Sequence, residues 1–358
     1  MKIKNNELKE MVAIANTTKN DYSTSIEVKE NELLVQFNAN YLYSLKGEHS
    51  MELGAYYLPA MEFNKIIKSL PTGVSDVKIE NQTLTVSDKA GNIETPLDTI
   101  YEIFIPNIEE TLAKIKAEEF IEILKETKQF ISKDKNRRVF CGVYLDYYHK
   151  DRILKVVALD GYKMYIRNIQ LDEETSVDYD FNLILNAETV ERIKKIKSSE
   201  YIEIKFGASP VDDKQYFITF ENGILEDITV SGDYFSYKEL LKDNINYEVV
   251  YDNKTIKELT QYFEKCKKLS GDNNIIESTI VNHEHIIQTR GAGTKVKKTM
   301  KSDSEDRFLI AYNGDYMIDM LKLFKDSGRV TIKMEDHVNP IMMEDDVRFA
   351  LLLPVRLG

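Results

Sequence analysis

Leu58–Leu70 reads LPAMEFNKIIKSL, Leu185–Lys197 reads LNAETVERIKKIK, and Tyr312–Phe324 reads YNGDYMIDMLKLF. The three stretches begin at positions 58, 185 and 312, a constant offset of 127 residues. Each pairs a polar or turn-forming start with apolar residues at helical spacing, so each predicts an amphipathic helix, and the fixed period marks an internal repeat. Alternating strand-like runs follow every helix: Val77 to Glu80 with Leu84 to Ser87, Tyr201 to Phe206 with Tyr216 to Phe220, and Val330 to Met334 with Ile341 to Met343. Turn residues divide the members of each pair, at Asn81-Gln82, Ser209-Pro210 and Asn339-Pro340. The expectation is a hairpin after each helix.

A second echo opens each unit, as IKNNELKEMV from Ile3, IKAEEFIEIL from Ile115 and YDNKTIKELT from Tyr251. Each reads as a short strand, a capping position and an amphipathic helix, with Leu8, Phe120 and Ile256 as first anchors. The fold class is therefore α+β, built from three repeated domains at about 1–112, 113–243 and 244–358, each with helices on one face of antiparallel sheet. A helix layer on a sheet leaves its outer face free. Lys65 and Lys68, then Arg192, Lys194, Lys195 and Lys197, then Lys322 and Lys325 fall on that face.

The chain has 358 residues, too many for one ordinary core. With 42% hydrophobic and 30% charged residues it has the apolar surface for packed cores throughout. The N-terminus MKIKNNELKEMV lacks a signal-peptide pattern and no apolar run suits a bilayer, so the expectation is a cytoplasmic protein with no membrane partner. Cys141 and Cys266 are isolated, and both read as small core residues rather than ligands or a disulfide. Formal net charge is −12, which by itself argues against nucleic acid, yet binding depends on where charge clusters. One cluster stands out: Lys133-Asp134-Lys135-Asn136-Arg137-Arg138, expected as a loop between a helix ending near Ile131 and a strand at Val139.

Three motifs join the repeat. The chain ends in FALLLPVRLG, with Pro354-Val355-Arg356-Leu357 before Gly358. The middle third contains CGVYLDYYHKDRILKVVALDGYKMYIRN, whose turn reads Ala158-Leu159-Asp160-Gly161-Tyr162-Lys163-Met164. The last third has Tyr312-Asn313-Gly314-Asp315-Tyr316 at a helix start. In their order and spacing these resemble the tail, the Gly-containing turn and the Asn-x-x-Tyr helix start of the bacterial DNA sliding clamps, the beta subunits of DNA polymerase III. That resemblance spans essentially the whole chain. It implies a head-to-tail homodimer of three-domain protomers, a ring that encircles double-stranded DNA without reading its sequence and tethers DNA polymerase and clamp loader through a peptide pocket. It implies no catalytic residue, metal or cofactor. An acidic protein can serve in this way because topology holds the DNA, and a basic lining need only offset phosphate repulsion.

The resemblance also implies roles. For DNA it points to Lys19, Lys68, Lys133, Lys135, Arg137 and Arg138, with Arg192, Lys194 and Lys195 supplying charge beside Ala187 and Glu188, where relatives are basic. The implied partner pocket comprises Phe140, Leu159, Gly161, Tyr162, Lys163, Met164, Asn313, Tyr316, Pro340, Leu351, Leu353, Pro354, Val355 and Arg356. An apolar floor with Met and aromatic walls suits a peptide, and a few polar groups fix its direction. Leu159, Tyr162 and Ser236 depart from the family pattern. At the subunit interface, Ile105 and Leu269 correspond to apolar positions, and Lys295, Lys297 and Lys298 stand where the family is acidic. The opposing stretch, Asn92 to Glu110, holds Glu94, Asp98 and Glu102 and no Lys or Arg, so both signs are exchanged.

Other chemistries fit less well. Gly291-Ala292-Gly293-Thr294-Lys295 imitates part of a phosphate loop without its full pattern. His283 and His285 share one side of a strand with no further ligand set and read as a surface pair. Asp212-Asp213 and Asp345-Asp346 suit hairpin turns. The competing class is a clamp-fold scaffold or effector that binds the same peptides without encircling DNA.

Overall fold

The computed structural model describes residues 1–15, 23–38, 40–100, 102–208, 215–227, 230, 232–241, 245–270, 274–290, 296–301 and 308–356. The first third runs β1 (Lys2–Lys4), α1 (Asn5–Ala15), β2 (Ser23–Lys29), β3 (Glu32–Phe37), β4 (Tyr41–Lys46), β5 (Gly54–Pro59), α2 (Ala60–Ser69), β6 (Val74–Glu80), β7 (Thr83–Asp88), β8 (Gly91–Pro96) and β9 (Asp98–Ile100). The middle third runs β10 (Asn107–Lys116), α3 (Ala117–Thr127), β11 (Val143–Tyr148), β12 (Ile153–Leu159), β13 (Lys163–Gln170), β14 (Phe181–Leu185), α4 (Ala187–Ile193), β15 (Tyr201–Ala208), β16 (Gln215–Phe220) and β17 (Gly223–Asp227). The last third runs β18 (Tyr247–Asp252), α5 (Asn253–Ser270), β19 (Ile275–Val281), β20 (Glu284–Arg290), β21 (Lys297–Lys301), β22 (Phe308–Asn313), α6 (Gly314–Leu323), β23 (Arg329–Met334), β24 (Ile341–Glu344) and β25 (Arg348–Leu352). The strand, helix, hairpin grammar recurs three times, as the period implied.

The chain divides into two compact units, one of Met1–Lys125, Tyr147–Ile153 and Gln170–Val230, the other of Glu126–Asp146, Leu154–Ile169 and Ser231–Gly358. In the first unit a nine-stranded antiparallel sheet runs β10-β15-β16-β17-β4-β3-β2-β5-β9, and a four-stranded sheet runs β1-β6-β7-β8. The β17–β4 joint, with Ile224 opposite Leu42, fuses strands from two repeats into one sheet. In the second unit the order is β12-β13-β25-β24-β23-β18, beside a four-stranded sheet β21-β20-β19-β22. There the β13–β25 joint pairs Met164 with Leu351.

Period-2 burial makes the strands one-sided: Thr24, Ile26 and Val28 of β2 turn inward, as do Ile276, Ser278 and Ile280 of β19. The helices answer with 3.6-residue stripes. α2 buries Phe63, Ile66 and Ile67, and α5 buries Ile256, Leu259, Phe263 and Cys266. Each such large side chain contributes roughly 1.5–3 kcal/mol on leaving water. Asn186 caps α4 through Glu188 N at 2.8 Å, and Asn313 caps α6 through Asp315 N at 2.8 Å, which is why both helices begin one residue later.

Three local expectations change. α3 ends at Thr127 rather than near Ile131, and Arg138–Cys141 is a turn of 3₁₀ helix, so the strand expected at Val139 starts at Val143. Cys266 is buried as expected, whereas Cys141 is half-exposed with its Sγ 3.3 Å from Asp134 O. His283 sits in the β19–β20 turn with φ 63°, and His285 is buried between Tyr251 and Ser278, so the two are not a surface pair. Ser209, Pro210, Asp212, Asp213 and Gly291 to Lys295 lie outside the described residues. No helix among the described residues is long and apolar enough to cross a membrane.

Candidate partner pocket and nucleic-acid loop

The second unit gathers the middle-third turn, the C-terminal strand and the following tail. An apolar cluster of Val157, Leu159, Met164, Ile166, Tyr237, Met342 and Leu351 forms where β12, β13, β24 and β25 meet. Phe140, Tyr144, Tyr234, Leu240, Leu241, Phe349 and Leu353 pack against it while staying partly accessible. Phe140, Leu159, Met164, Leu351 and Leu353 are thus brought together. Tyr144 and Tyr234 stack at 4.4 Å, and the Tyr237 hydroxyl donates to Asp146 at 2.8 Å. Of the Tyr234–Leu241 segment only Ser236 stands out in the sequence; Tyr234, Tyr237, Leu240 and Leu241 were missed because this aromatic and apolar run has no strand or helix period of its own.

Depth separates the pocket residues into two sets. Met164 and Leu351 are essentially inaccessible and Leu159 is 5% exposed, so these are floor rather than wall. Asp160 shapes the turn by accepting from Tyr162 N at 2.8 Å and Lys163 N at 2.9 Å. Burial lifts the Asp160 carboxyl above its ordinary value against those two backbone donors. Gly161 crosses the turn with φ +94°, and a Cβ there would lie 2.5 Å from Arg137 Nη1. Tyr162 points out, half its surface exposed, and stacks on Tyr316 at 5.5 Å.

Lys163 departs from the expectation of a pocket-lining cation. Its side chain is 4% exposed, ion-paired with Asp319, 3.9 Å from Asp160, and within 5.4 and 5.1 Å of the Phe130 and Tyr316 ring centres. A buried ammonium needs such partners, so Lys163 braces the Tyr162–Tyr316 wall from beneath. The tail runs along this wall: Leu353 N donates to Tyr162 O at 2.8 Å and Val355 N to Ala311 O at 2.7 Å. Leu353, Pro354 and Val355 are half-buried and Arg356 is exposed; Pro340 is half-buried one residue before β24. Leu357 and Gly358 lie outside the described residues.

The basic loop is displayed. Lys133, Lys135, Arg137 and Arg138 are all exposed, with Arg137 Nε 3.8 Å from Asp134. Asp134 holds the turn by accepting from Asn136 N at 3.0 Å. Arg137 borders Gly161, so the loop and the pocket rim touch. Of the helical cations, Lys68 and Lys195 are exposed as expected. Arg192 and Lys194 are not: Arg192 is 3% exposed, bonded to Asn40 at 3.0 Å and paired with Glu188, and Lys194 is paired with Glu191. Acids three and four residues away on α4 capture them, a competition the face assignment ignored. Lys19 lies outside the described residues.

The expected interface residues Glu94 and Lys297 fall on sheet edges, one in each unit. β8 ends the sheet β1-β6-β7-β8 and exposes Glu94; β21 ends the sheet β21-β20-β19-β22 and exposes Lys297. Lys298 turns inward to Glu258 at 3.3 Å, and Lys295 lies outside the described residues. Asp98 belongs to β9, at the edge of the nine-stranded sheet, and Glu102 follows it, exposed. Ile105 is 45% and Leu269 48% exposed.

Comparison with known proteins bears on this arrangement. Residues 114–234 match the family model of the DNA polymerase III beta subunit, central domain. The chain is 23% identical over 317 residues to the beta sliding clamp of Bacillus subtilis, covering 85% of this chain and 80% of that protein. It is 24% identical over 339 residues to the beta sliding clamp of Rickettsia bellii, covering 88% and 86%. Among solved structures, the beta subunit from DNA polymerase of Streptococcus pyogenes superposes with a TM-score of 0.82 at 21% identity over 99% of both chains. The DNA polymerase III beta subunit of Thermotoga maritima gives 0.82 at 15% identity over 100% of this chain and 99% of that one.

Proposed function

From the match of residues 114–234 to the DNA polymerase III beta subunit central domain, we propose that the chain belongs to that family and is a DNA sliding clamp: a non-catalytic ring of two copies, each of three domains, that encircles duplex DNA and tethers polymerase and clamp loader. The observation that carries this reading is the rhythm of the sheet joints. The third strand of one half-domain, β4 or β13, pairs with the last strand of the next repeat, β17 or β25. Continuing that rule leaves β21 and β8 as the two edges without a partner repeat, and a second copy supplies both at once. A closed cycle of joints follows, with neither β8 nor β21 left open to further copies, which limits open-ended association.

Within that ring the exposed cations Lys133, Lys135, Arg137, Arg138, Lys68 and Lys195 are the phosphate contacts. Such contacts are electrostatic, independent of sequence and weakened by salt. The groove bounded by Phe140, Tyr162, Tyr316, Leu353 and Val355 takes an extended apolar peptide from the partner protein, whose side chains find an aromatic wall and a dry floor. One experiment tests the whole reading. After loading, the protein stays on circular DNA and is lost from linear DNA as it slides off the ends. Equal loss from both leaves the clamp-fold scaffold as the better account.

A further inference from the structure

The free edges β8 and β21 carry opposite charge, and the finished joints of the same chain give the register at which they would meet. In the hairpin before β13, Asp160 N donates to Lys163 O at 3.2 Å; before β21, Thr289 N donates to Val296 O at 3.0 Å, so Val296 is the counterpart of Lys163. In the hairpin before β25, Asp345 N donates to Arg348 O at 3.0 Å; in that before β8, Gly91 lies opposite Asp88, so Gly91 is the counterpart of Arg348. Met164, one residue past Lys163, faces Leu351, three past Arg348. The same steps from Val296 and Gly91 arrive at Lys297 and Glu94.

The other joint tests how far this depends on one template. Tyr41 closes against Phe37 and Gly223 against Phe220, and Leu42 then faces Ile224. Copying that register shifts the meeting by two residues: Lys297 lies opposite Asn92, with Glu94 as its diagonal neighbour. A two-residue shift keeps every side chain on its own face, and diagonal neighbours remain within reach of a long side chain. Glu94 and Lys297 both belong to the exposed face, while Lys298 is already turned to Glu258.

Resting on the ring reading above, we propose that Lys297 of one copy pairs with Glu94 of another across each joint, fixing the register and restricting the partner to a second copy of this chain. No Lys or Arg occurs between Asn92 and Glu110, so the acidic edge has no local cation to blunt it. A clamp presenting a basic edge in place of β8, or an acidic edge in place of β21, sets like charges together, and directly opposed like charges destabilise a strand pair. At such a joint, charge decides which partner is accepted.

The test is the oligomeric state of four samples, by analytical ultracentrifugation of the full chain at about 50 mM and about 500 mM salt, where screening differs several-fold. Wild type dimerises, more weakly at high salt. Lys297→Glu and Glu94→Lys each raise the dimer dissociation constant about tenfold or more at low salt. An equimolar mixture of the two variants forms dimers tighter than either variant alone, because both of its joints then hold one acid and one base. A wild type that remains monomeric overturns the ring and this pairing together. A wild-type dimer matched by undiminished dimers of both variants, or a mixture no tighter than its components, overturns the pairing and leaves the ring.

Discussion

Arg348 and Glu126, 222 residues apart, meet at 3.3 Å beside the β13–β25 joint. The same carboxylate takes Arg167 Nη1 at 3.0 Å, and Arg167 lies directly opposite Arg348 in the strand register. Glu126 therefore bridges two arginines that would otherwise repel across a strand pair, all three being 13 to 16% exposed, and Asp345, 3.0 Å from Arg348 Nε, supplies the second negative charge. Replacing Glu126 by Ala removes the carboxylate of Arg167 while Arg348 keeps Asp345, and should cost about 3 kcal/mol in urea unfolding. Glu126→Gln, which keeps the side-chain shape and one of the two acceptor oxygens while losing the charge, should cost less. Equal stability of Glu126→Ala and wild type would show that the arginines find water instead.

A charge at Met164 is no clean probe of the pocket, because that side chain is fully enclosed and the core would fail with it. Leu353→Asp and Tyr162→Ala act on accessible walls. Each should weaken a short apolar partner peptide about tenfold or more by calorimetry while leaving the thermal midpoint within a few degrees. Truncation after Leu353 removes the Val355–Ala311 bond and should do the same.

Charge reversal at Arg137 and Arg138 together should lower DNA association and flatten its salt dependence by about two counterions. Gly161→Ala offers a subtler route. Its Cβ would meet the Arg137 guanidinium at 2.5 Å and would demand φ +94° of a residue that resists it. DNA and peptide binding should both fall in this variant, since it displaces the loop and bends the pocket rim; loss of peptide binding alone would show that Arg137 does not serve DNA.

His285 is held neutral in the fold, burial lowering it from 6.5 to about 4. A depressed histidine contributes stability that is present above pH 6.5 and is lost as pH falls toward 4, because the unfolded chain takes the proton first. Wild type should lose roughly 3 kcal/mol across that window from this residue. Replacing His285 by Gln should flatten that limb of a stability–pH curve.

Asp227 slopes the other way. It is fully buried beneath the start of α4, accepting from Asn186 N at 3.1 Å, and burial raises its carboxyl from 3.8 to about 7. Its contribution is complete below pH 3.8 and is lost as pH rises toward 7. Asp227→Asn should therefore raise the melting temperature relative to wild type most at pH 8, less at pH 5, and little below pH 3.8.

The three-fold grammar was legible in the chain because local rules write it. The 127-residue offset, the caps at Asn186 and Asn313 and the period-2 runs each fix backbone within a few residues of themselves. Apolar floor residues such as Leu159 and Leu351 were legible for the same reason, lying in strands that must bury one face. Tertiary structure decided which polar groups remain available. Lys163 reads like a pocket cation until Asp319, 156 residues onward, is seen to claim it. Arg192 reads like a channel cation until Asn40 and Glu188 close on it. Charge identity is written in one residue, but its availability depends on every group the fold brings within a few ångströms, and in a dry setting those groups outweigh solvent.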